Sequence, residues 1–176
     1  SFTGGTSTGK RIASVAAPMF KKLSLELGGK NPNIIFADCF YEDMLATTVR
    51  SSFANQGQIC LCGSRIFVER PLYEKFKTDF VARVSKLQVG DPMDNNTKTG
   101  AVVSEAHMNK VLSYIELAKA EGGTVITGGE RANVPDRCAE GWFINPTVIE
   151  GLAYNCRTNQ EEIFGPVLSI LTFRTD

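Results

Sequence analysis

Phe53-Ala54-Asn55-Gln56-Gly57-Gln58-Ile59-Cys60-Leu61-Cys62-Gly63-Ser64-Arg65 divides a helical pattern from a strand-like run. Upstream, Met44, Leu45, Thr48, Val49, Ser52 and Phe53 recur at three- and four-residue spacing, which predicts a helix over residues 41–55. Downstream, Ile66, Phe67 and Val68 form a continuous apolar run, which predicts a strand over residues 64–69. The stretch between them reads as a loop. Gly57 and Gly63 free its backbone, and Asn55, Gln56 and Gln58 keep it polar, so Cys60 is a candidate exposed thiol nucleophile. A free cysteine is more often a small buried hydrophobe, so the loop alone does not decide. Cys60 and Cys62 also form a C-x-C pair, but a metal site needs two further ligands.

Working outward, residues 1–9 read as a strand end, a Gly-rich turn and a helix start. The helix continues with Ile12, Val15, Ala16, Met19 and Phe20 on one face and breaks near Pro18. Leu23, Leu25 and Leu27 alternate with Ser24 and Glu26 as a strand, stopped by Gly28-Gly29. A second short strand is expected over 33–37. After the 64–69 strand, Pro71 opens a helix with Tyr73, Phe76, Phe80, Val84 and Leu87 inward. Residues 89–100 are a polar connection or an internal boundary. Ser104 starts a helix with Met108, Val111, Leu112, Ile115 and Ala118 on one face, ended by Gly122-Gly123. Residues 124–127 form a strand, 142–149 an edge-like strand interrupted by Pro146, and 167–173 the last strand. Helices alternating with short apolar strands predict an α/β fold with a mainly parallel sheet flanked by helices.

The formal net charge is zero, with Lys+Arg 19 against Asp+Glu 19, so no basic field points to nucleic acid or an anionic membrane. No apolar run is long enough to span a bilayer. The five cysteines are odd in number and irregularly spaced, which predicts reduced thiols and a cytoplasmic protein rather than a disulfide framework. One histidine, His107, with so few other soft ligands, argues against a metal site. His107 lies among polar neighbours and reads as a solvated surface residue, so the thiol is expected to act with a carboxylate.

Glu26 is one candidate, because the carboxyl ends of parallel strands face the ligand crevice and Gly28-Gly29 lets the chain pass close to a ligand. An exposed strand residue is an equal reading from pattern alone. Glu161-Glu162 precedes Phe164-Gly165-Pro166, a carboxylate pair beside an aromatic and a forced turn, suited to a ribose and a flat ring, or else a solvated acidic turn. Gly4-Gly5-Thr6-Ser7-Thr8-Gly9-Lys10-Arg11 meets the G-x-x-x-x-G-K spacing of a phosphate-binding P-loop. Arg11 stands where a Mg²⁺-binding hydroxyl is required, so a nucleotide hydrolase is only the alternative. A Gly-rich turn opening a helix still presents free N–H groups to an anion.

Together, Phe2-Thr3-Gly4-Gly5-Thr6-Ser7-Thr8-Gly9, Leu25-Glu26-Leu27-Gly28-Gly29-Lys30-Asn31-Pro32, residues 53–65 and Glu161-Glu162-Ile163-Phe164-Gly165-Pro166-Val167 resemble the NAD(P)-dependent aldehyde dehydrogenase family, in its motif order. The resemblance implies residues 1–27 as the end of the NAD(P)-binding domain and 28–176 as part of the catalytic domain. It implies Cys60 as the nucleophile and Glu26 as the base that activates water. It also implies Gly4, Gly5, Gly9, Leu27, Glu162 and Phe164 as the residues around the cofactor, NAD, with NADP left open. Gly5 stands where many members carry Ser. The spelling Cys60-Leu61-Cys62-Gly63-Ser64-Arg65, with Lys22-Leu23-Ser24-Leu25-Glu26, is most similar to the 2-aminomuconic or 2-hydroxymuconic semialdehyde branch. Family enzymes are longer homo-oligomers. The chain therefore resembles a fragment, expected to be inactive alone, and a non-catalytic truncated product stays open.

Overall fold

The computed structural model describes residues 1–175; Asp176, the last residue of the expected second domain, lies outside them. The strands divide into two sheets. Strand β1 (Phe2–Gly4) pairs in parallel with β2 (Leu25–Leu27) across helix α1 (Thr6–Ala16), forming one right-sized crossover unit. The chain then enters a five-stranded sheet through β3 (Asn31–Ile35), α2 (Tyr41–Phe53), β4 (Gly63–Glu69), α3 (Tyr73–Val84), α4 (Glu105–Ala120), β5 (Thr124–Thr127), β6 (Thr147–Glu150), the short helix α5 (Arg157–Gln160) and β7 (Val167–Phe173). Its order is β3-β4-β7-β6-β5, parallel except for β5. The α/β reading from periodicity is met.

The helices are seated by the residues their spacing selects. On α2, Leu45, Thr48, Ser52 and Phe53 are buried. On α3, Phe76, Phe80 and Val84 are buried, joining Ile66, Val68 and Ile170 from the sheet in one core. Phe76 and Phe80 stack with ring centroids 5.0 Å apart. On the opposite side, Met108, Val111, Ile115 and Ala118 of α4 close a second core with Ile149, Ile163 and Val167. The Ser104 hydroxyl caps α4 by accepting from the His107 backbone N–H.

Two expectations need correction. First, the expected apolar face does not run on through Phe20 as one buried helix face: α1 ends at Ala16, Ile12 and Ala16 are only half-buried, Val15 is 62% exposed, and Met19 and Phe20, beyond the helix, are 59% and 97% exposed, while Gly9 is the buried residue of α1. Second, the strand after Trp142 is not an edge. It begins only at Thr147, beyond Pro146, so the missing N–H falls outside the ladder. β6 lies between β7 and β5, and β5 is the edge. Of the two readings left open for residues 89–100, the surface connection fits the contacts made there. The Gly90 N–H donates to the Thr99 carbonyl at 3.1 Å, and the Arg137 guanidinium clips Asp91. That contact holds the Asp91 carboxyl at a pKa of about 2.

A candidate active site

The thiol loop leaves α2 through a tight turn in which Asn55 (φ 49), Gln56 (φ 56) and Gly57 (φ 69) all take the left-handed conformation. Only glycine fits at position 57, because a Cβ there would lie 2.2 Å from the Gly165 carbonyl oxygen. The turn is tied by its own amides. The Asn55 side-chain N–H donates to the Gln58 carbonyl at 3.2 Å, the Gln58 side-chain N–H to the Asn55 carbonyl at 3.3 Å, and Gln58 Oε1 accepts the Val103 N–H at 3.0 Å. Asn31 reaches in from β3, its Nδ2 donating to the carbonyls of Cys60 and Cys62. Cys60 is thereby held half-buried at the apex between two ordered ends. Its backbone N–H donates to no protein group among the described residues.

Cys62 has a different fate. It is buried, its Sγ lies 3.9 Å from the Ala54 carbonyl, and burial pushes its pKa up. Two thiols a residue apart are thus sorted by packing, one toward the cleft and one toward the core. Among the described residues no group of three or more His, Cys, Asp or Glu is placed to hold a metal, and the five cysteines are free.

Cys60 opens onto a cleft of about 490 Å³, a size suited to a small organic ligand. The β1–α1–β2 unit supplies Thr3, Gly4, Gly5, Glu26, Leu27 and Gly28 to one wall. The five-stranded half supplies Gln58, Ile59, Cys60, His107, Lys110, Glu162 and Phe164 to the other. The structure therefore brings Cys60, Glu26, Gly4, Gly5, Leu27, Glu162 and Phe164 together from four separate stretches of sequence. Glu26 is the middle residue of β2, its side chain exposed between the half-buried Leu25 and Leu27.

Gly9 is the exception. It lies inside α1, where a Cβ would sit 2.6 Å from Leu27 Cδ2. It lets the helix pack on Leu27 instead of lining the cleft. The same helix disposes of the P-loop alternative. α1 starts at Thr6, so Ser7, Thr8 and Gly9 are helical and no loop remains to wrap a triphosphate. Gly5 is its N-cap, and a Cβ there would meet nothing within 4 Å, so this helix end opens to space.

Glu162 lies directly over the backbone of Gly28. A Cβ on Gly28 would be 1.9 Å from Glu162 Oε2, and Glu162 Oε1 accepts the Gly29 N–H at 3.2 Å. Gly28-Gly29 therefore admits the carboxylate between the two walls. Phe164, at φ 60, is turned outward and 36% exposed.

Two site residues escaped the reading of the sequence. His107 is not a solvated bystander: it lines the cleft, and its Nε2–H donates to the Phe164 carbonyl at 2.6 Å. The carbonyl only accepts, so Nε2 carries the proton. Lys110, one helical turn on, also lines the cleft and donates to the Glu162 carbonyl at 3.1 Å. Their shared face on α4 was the available signal. Beside the cleft, Lys30 is half-buried, and desolvation followed by the charge of Arg65 lowers its pKa to about 8.

A thiol and a carboxylate on one wall of the cleft, Cys60 and Glu162, thus face a second carboxylate, Glu26, and the N-terminal end of α1 on the other. The chain belongs to the aldehyde dehydrogenase family, whose pattern matches residues 1–176. It is 50% identical to 2-aminomuconic semialdehyde dehydrogenase of Danio rerio over 98% of this chain and 36% of that protein. It is 43% identical to 2-aminomuconic 6-semialdehyde dehydrogenase of a Pseudomonas species over 99% of this chain and 36% of that protein. The crystal structure of betaine aldehyde dehydrogenase from Staphylococcus aureus in complex with NAD+ is similar at a TM-score of 0.92 and 43% identity, covering 99% of this chain and 34% of that one. The chain thus spans about a third of the length of the relatives it matches.

Proposed function

We propose that this chain carries the thiol-bearing part of an NAD-dependent aldehyde dehydrogenase that oxidises a muconic semialdehyde to the carboxylic acid. The observation that carries the reading is the single cleft onto which Cys60 and Glu26 both open. Residues 1–27 are read as the end of the cofactor domain and residues 28–176 as part of the catalytic domain, in keeping with the change of sheet between Leu27 and Asn31.

The residues fit a dinucleotide's nicotinamide end. The Gly4-Gly5 turn leaves room at a helix N-terminus for a phosphate, Glu162 offers a carboxylate to ribose hydroxyls, and Phe164 offers a ring face. The Leu27 carbonyl is available to a carboxamide. NAD, when bound, accepts the hydride. The Cys60 thiolate attacks the aldehyde carbon, forming a C–S bond and a tetrahedral oxyanion. The free N–H of Cys60 donates to that oxyanion. Departure of hydride restores the carbonyl and leaves a thioester on Cys60. Glu26 takes a proton from water, the hydroxide adds to the thioester, and the C–S bond breaks to release the acid and the thiolate. NAD is preferred here to NADP because the Staphylococcus aureus relative is in complex with NAD+.

The full-length protein is expected to be a homo-oligomer, and the 176 residues alone to be inactive or nearly so. The test is NADH formation from a muconic semialdehyde by the full-length protein. Cys60→Ala should abolish it, and 2-aminomuconic semialdehyde should be oxidised with a higher kcat/KM than betaine aldehyde. Equal turnover by Cys60→Ala would end the reading.

A further inference from the structure

Helix α4 lays a polar stripe along the segment that presents Glu162 and Phe164. His107, Lys110 and Tyr114 stand three and four residues apart, so they share one helical face. They meet the segment in reverse order. His107 Nε2–H donates to the Phe164 carbonyl at 2.6 Å, Lys110 Nζ to the Glu162 carbonyl at 3.1 Å, and the Tyr114 hydroxyl to Glu161 Oε2 at 2.6 Å. The other face of α4, with Met108, Val111, Ile115 and Ala118, is locked in the core. The stripe therefore projects from a fixed base.

The segment it meets has no ladder of its own, lying between the end of α5 and the start of β7. Phe164 occupies the left-handed region, a strained conformation for a bulky residue that surroundings must hold. Gly165 is pressed on α4 so closely that a Cβ would meet Val111 Cγ2 at 2.5 Å. Arg157 grips Glu161 from the far side with two N–H groups at 2.8 and 3.1 Å.

We propose that His107, Lys110 and Tyr114 form a positioning clamp that fixes the register of residues 161–165 and so aims Glu162 and Phe164 into the cleft. The inference rests on the proposed function for what Glu162 and Phe164 hold. Tyr114 separates positioning from contact. It does not line the cleft, whereas His107 and Lys110 do. Any effect of Tyr114 on cofactor handling must pass through the segment.

The experiment uses Tyr114→Phe in the full-length protein, which removes one oxygen and keeps the ring. Three quantities are read: amide hydrogen exchange across 161–165, the NADH dissociation constant by fluorescence titration, and KM for NAD against kcat. The clamp predicts faster exchange confined to that segment. It also predicts a roughly three- to tenfold rise in the NADH dissociation constant and in KM for NAD, the scale of one lost hydrogen bond, with kcat changed less. Unchanged exchange together with an NADH dissociation constant within about twofold of the parent would overturn it. Faster exchange with unchanged NADH affinity would uphold the clamp and sink the cofactor role of the segment. Glu162→Gln, run alongside, reports on that role directly.

Discussion

The two walls of the cleft are stabilised very differently. The five-stranded half is saturated: Phe76, Phe80, Ile66 and Val68 are fully buried on one side, and Val111, Ile115 and Ile149 on the other. The β1–α1–β2 unit is bare by comparison, with Gly9 its buried residue, two three-residue strands, and Val15, Met19 and Phe20 facing outward. The thiol stands on the packed wall and the carboxylate on the bare one. A nucleophile gains from being held still by a dense core. In the function proposed above, the base serves a later step, and it stands on an exposed strand. The contrast also explains why Asn31 matters, since it follows the junction directly and ties β3 to the Cys60 loop.

The largest expected difference between the walls is in stability. Phe80→Ala should cost roughly 3–5 kcal/mol, the range for deleting a buried aromatic ring. Phe20→Asn should change stability by no more than about 0.5 kcal/mol, and in the favourable direction. Phe20 is exposed and takes φ 55, a conformation asparagine adopts more readily. Urea denaturation of both variants measures this, and equal losses would erase the contrast.

A smaller effect is expected at the junction itself. The folded pKa of Lys30 is lowered to about 8 from an ordinary 10.5, so the folded state disfavours its charge. In that interval the unfolded chain binds more protons, and stability from this group rises with pH. The full cost is present below about pH 8 and is relieved as pH climbs toward 10.5. Lys30→Met should therefore be more stable than the parent at pH 7, by a margin that shrinks as pH is raised through that window. A margin independent of pH would show that Lys30 is not desolvated.

The smallest effect is expected at Gly5. Its Cβ position is open and its φ is −66, so Gly5→Ser should fold as the parent does. A hydroxyl at the mouth of α1 should tighten NADH by no more than about tenfold, the reach of one added hydrogen bond. Weaker binding would mean that the helix end is not where the ligand lies.

The sequence made the packed wall legible and left the bare one ambiguous. α2, α3 and α4 follow from apolar spacing, and their buried residues are the ones that spacing selects. The apolar face expected from Ile12 to Phe20 shows the same spacing, yet Val15, Met19 and Phe20 are exposed, because periodicity identifies a face but not what covers it. Cys60 and Glu26 were identifiable as candidates from loop and strand-end chemistry. That they share a cleft depended on tertiary packing that no local pattern carries. His107 was misread because its partner, Phe164, is 57 residues away. The separation of Cys60 from Cys62 was equally invisible, since it depends on which way a two-residue turn faces the core. The position of β6 within the sheet was hidden by Pro146, which suggests an edge unless the strand is known to start one residue later.

The division of labour between the two walls is tested most directly by a pre-steady-state measurement of NADH on full-length Glu26→Gln. With the thiol intact and the base removed, the account predicts a rapid burst of NADH stoichiometric with active sites. A much slower steady rate should follow, limited by hydrolysis of the thioester on Cys60. The burst should be absent in Cys60→Ala. A Glu26→Gln enzyme that turns over at the parent's steady rate, or a burst that survives Cys60→Ala, would contradict the assignment of these two residues.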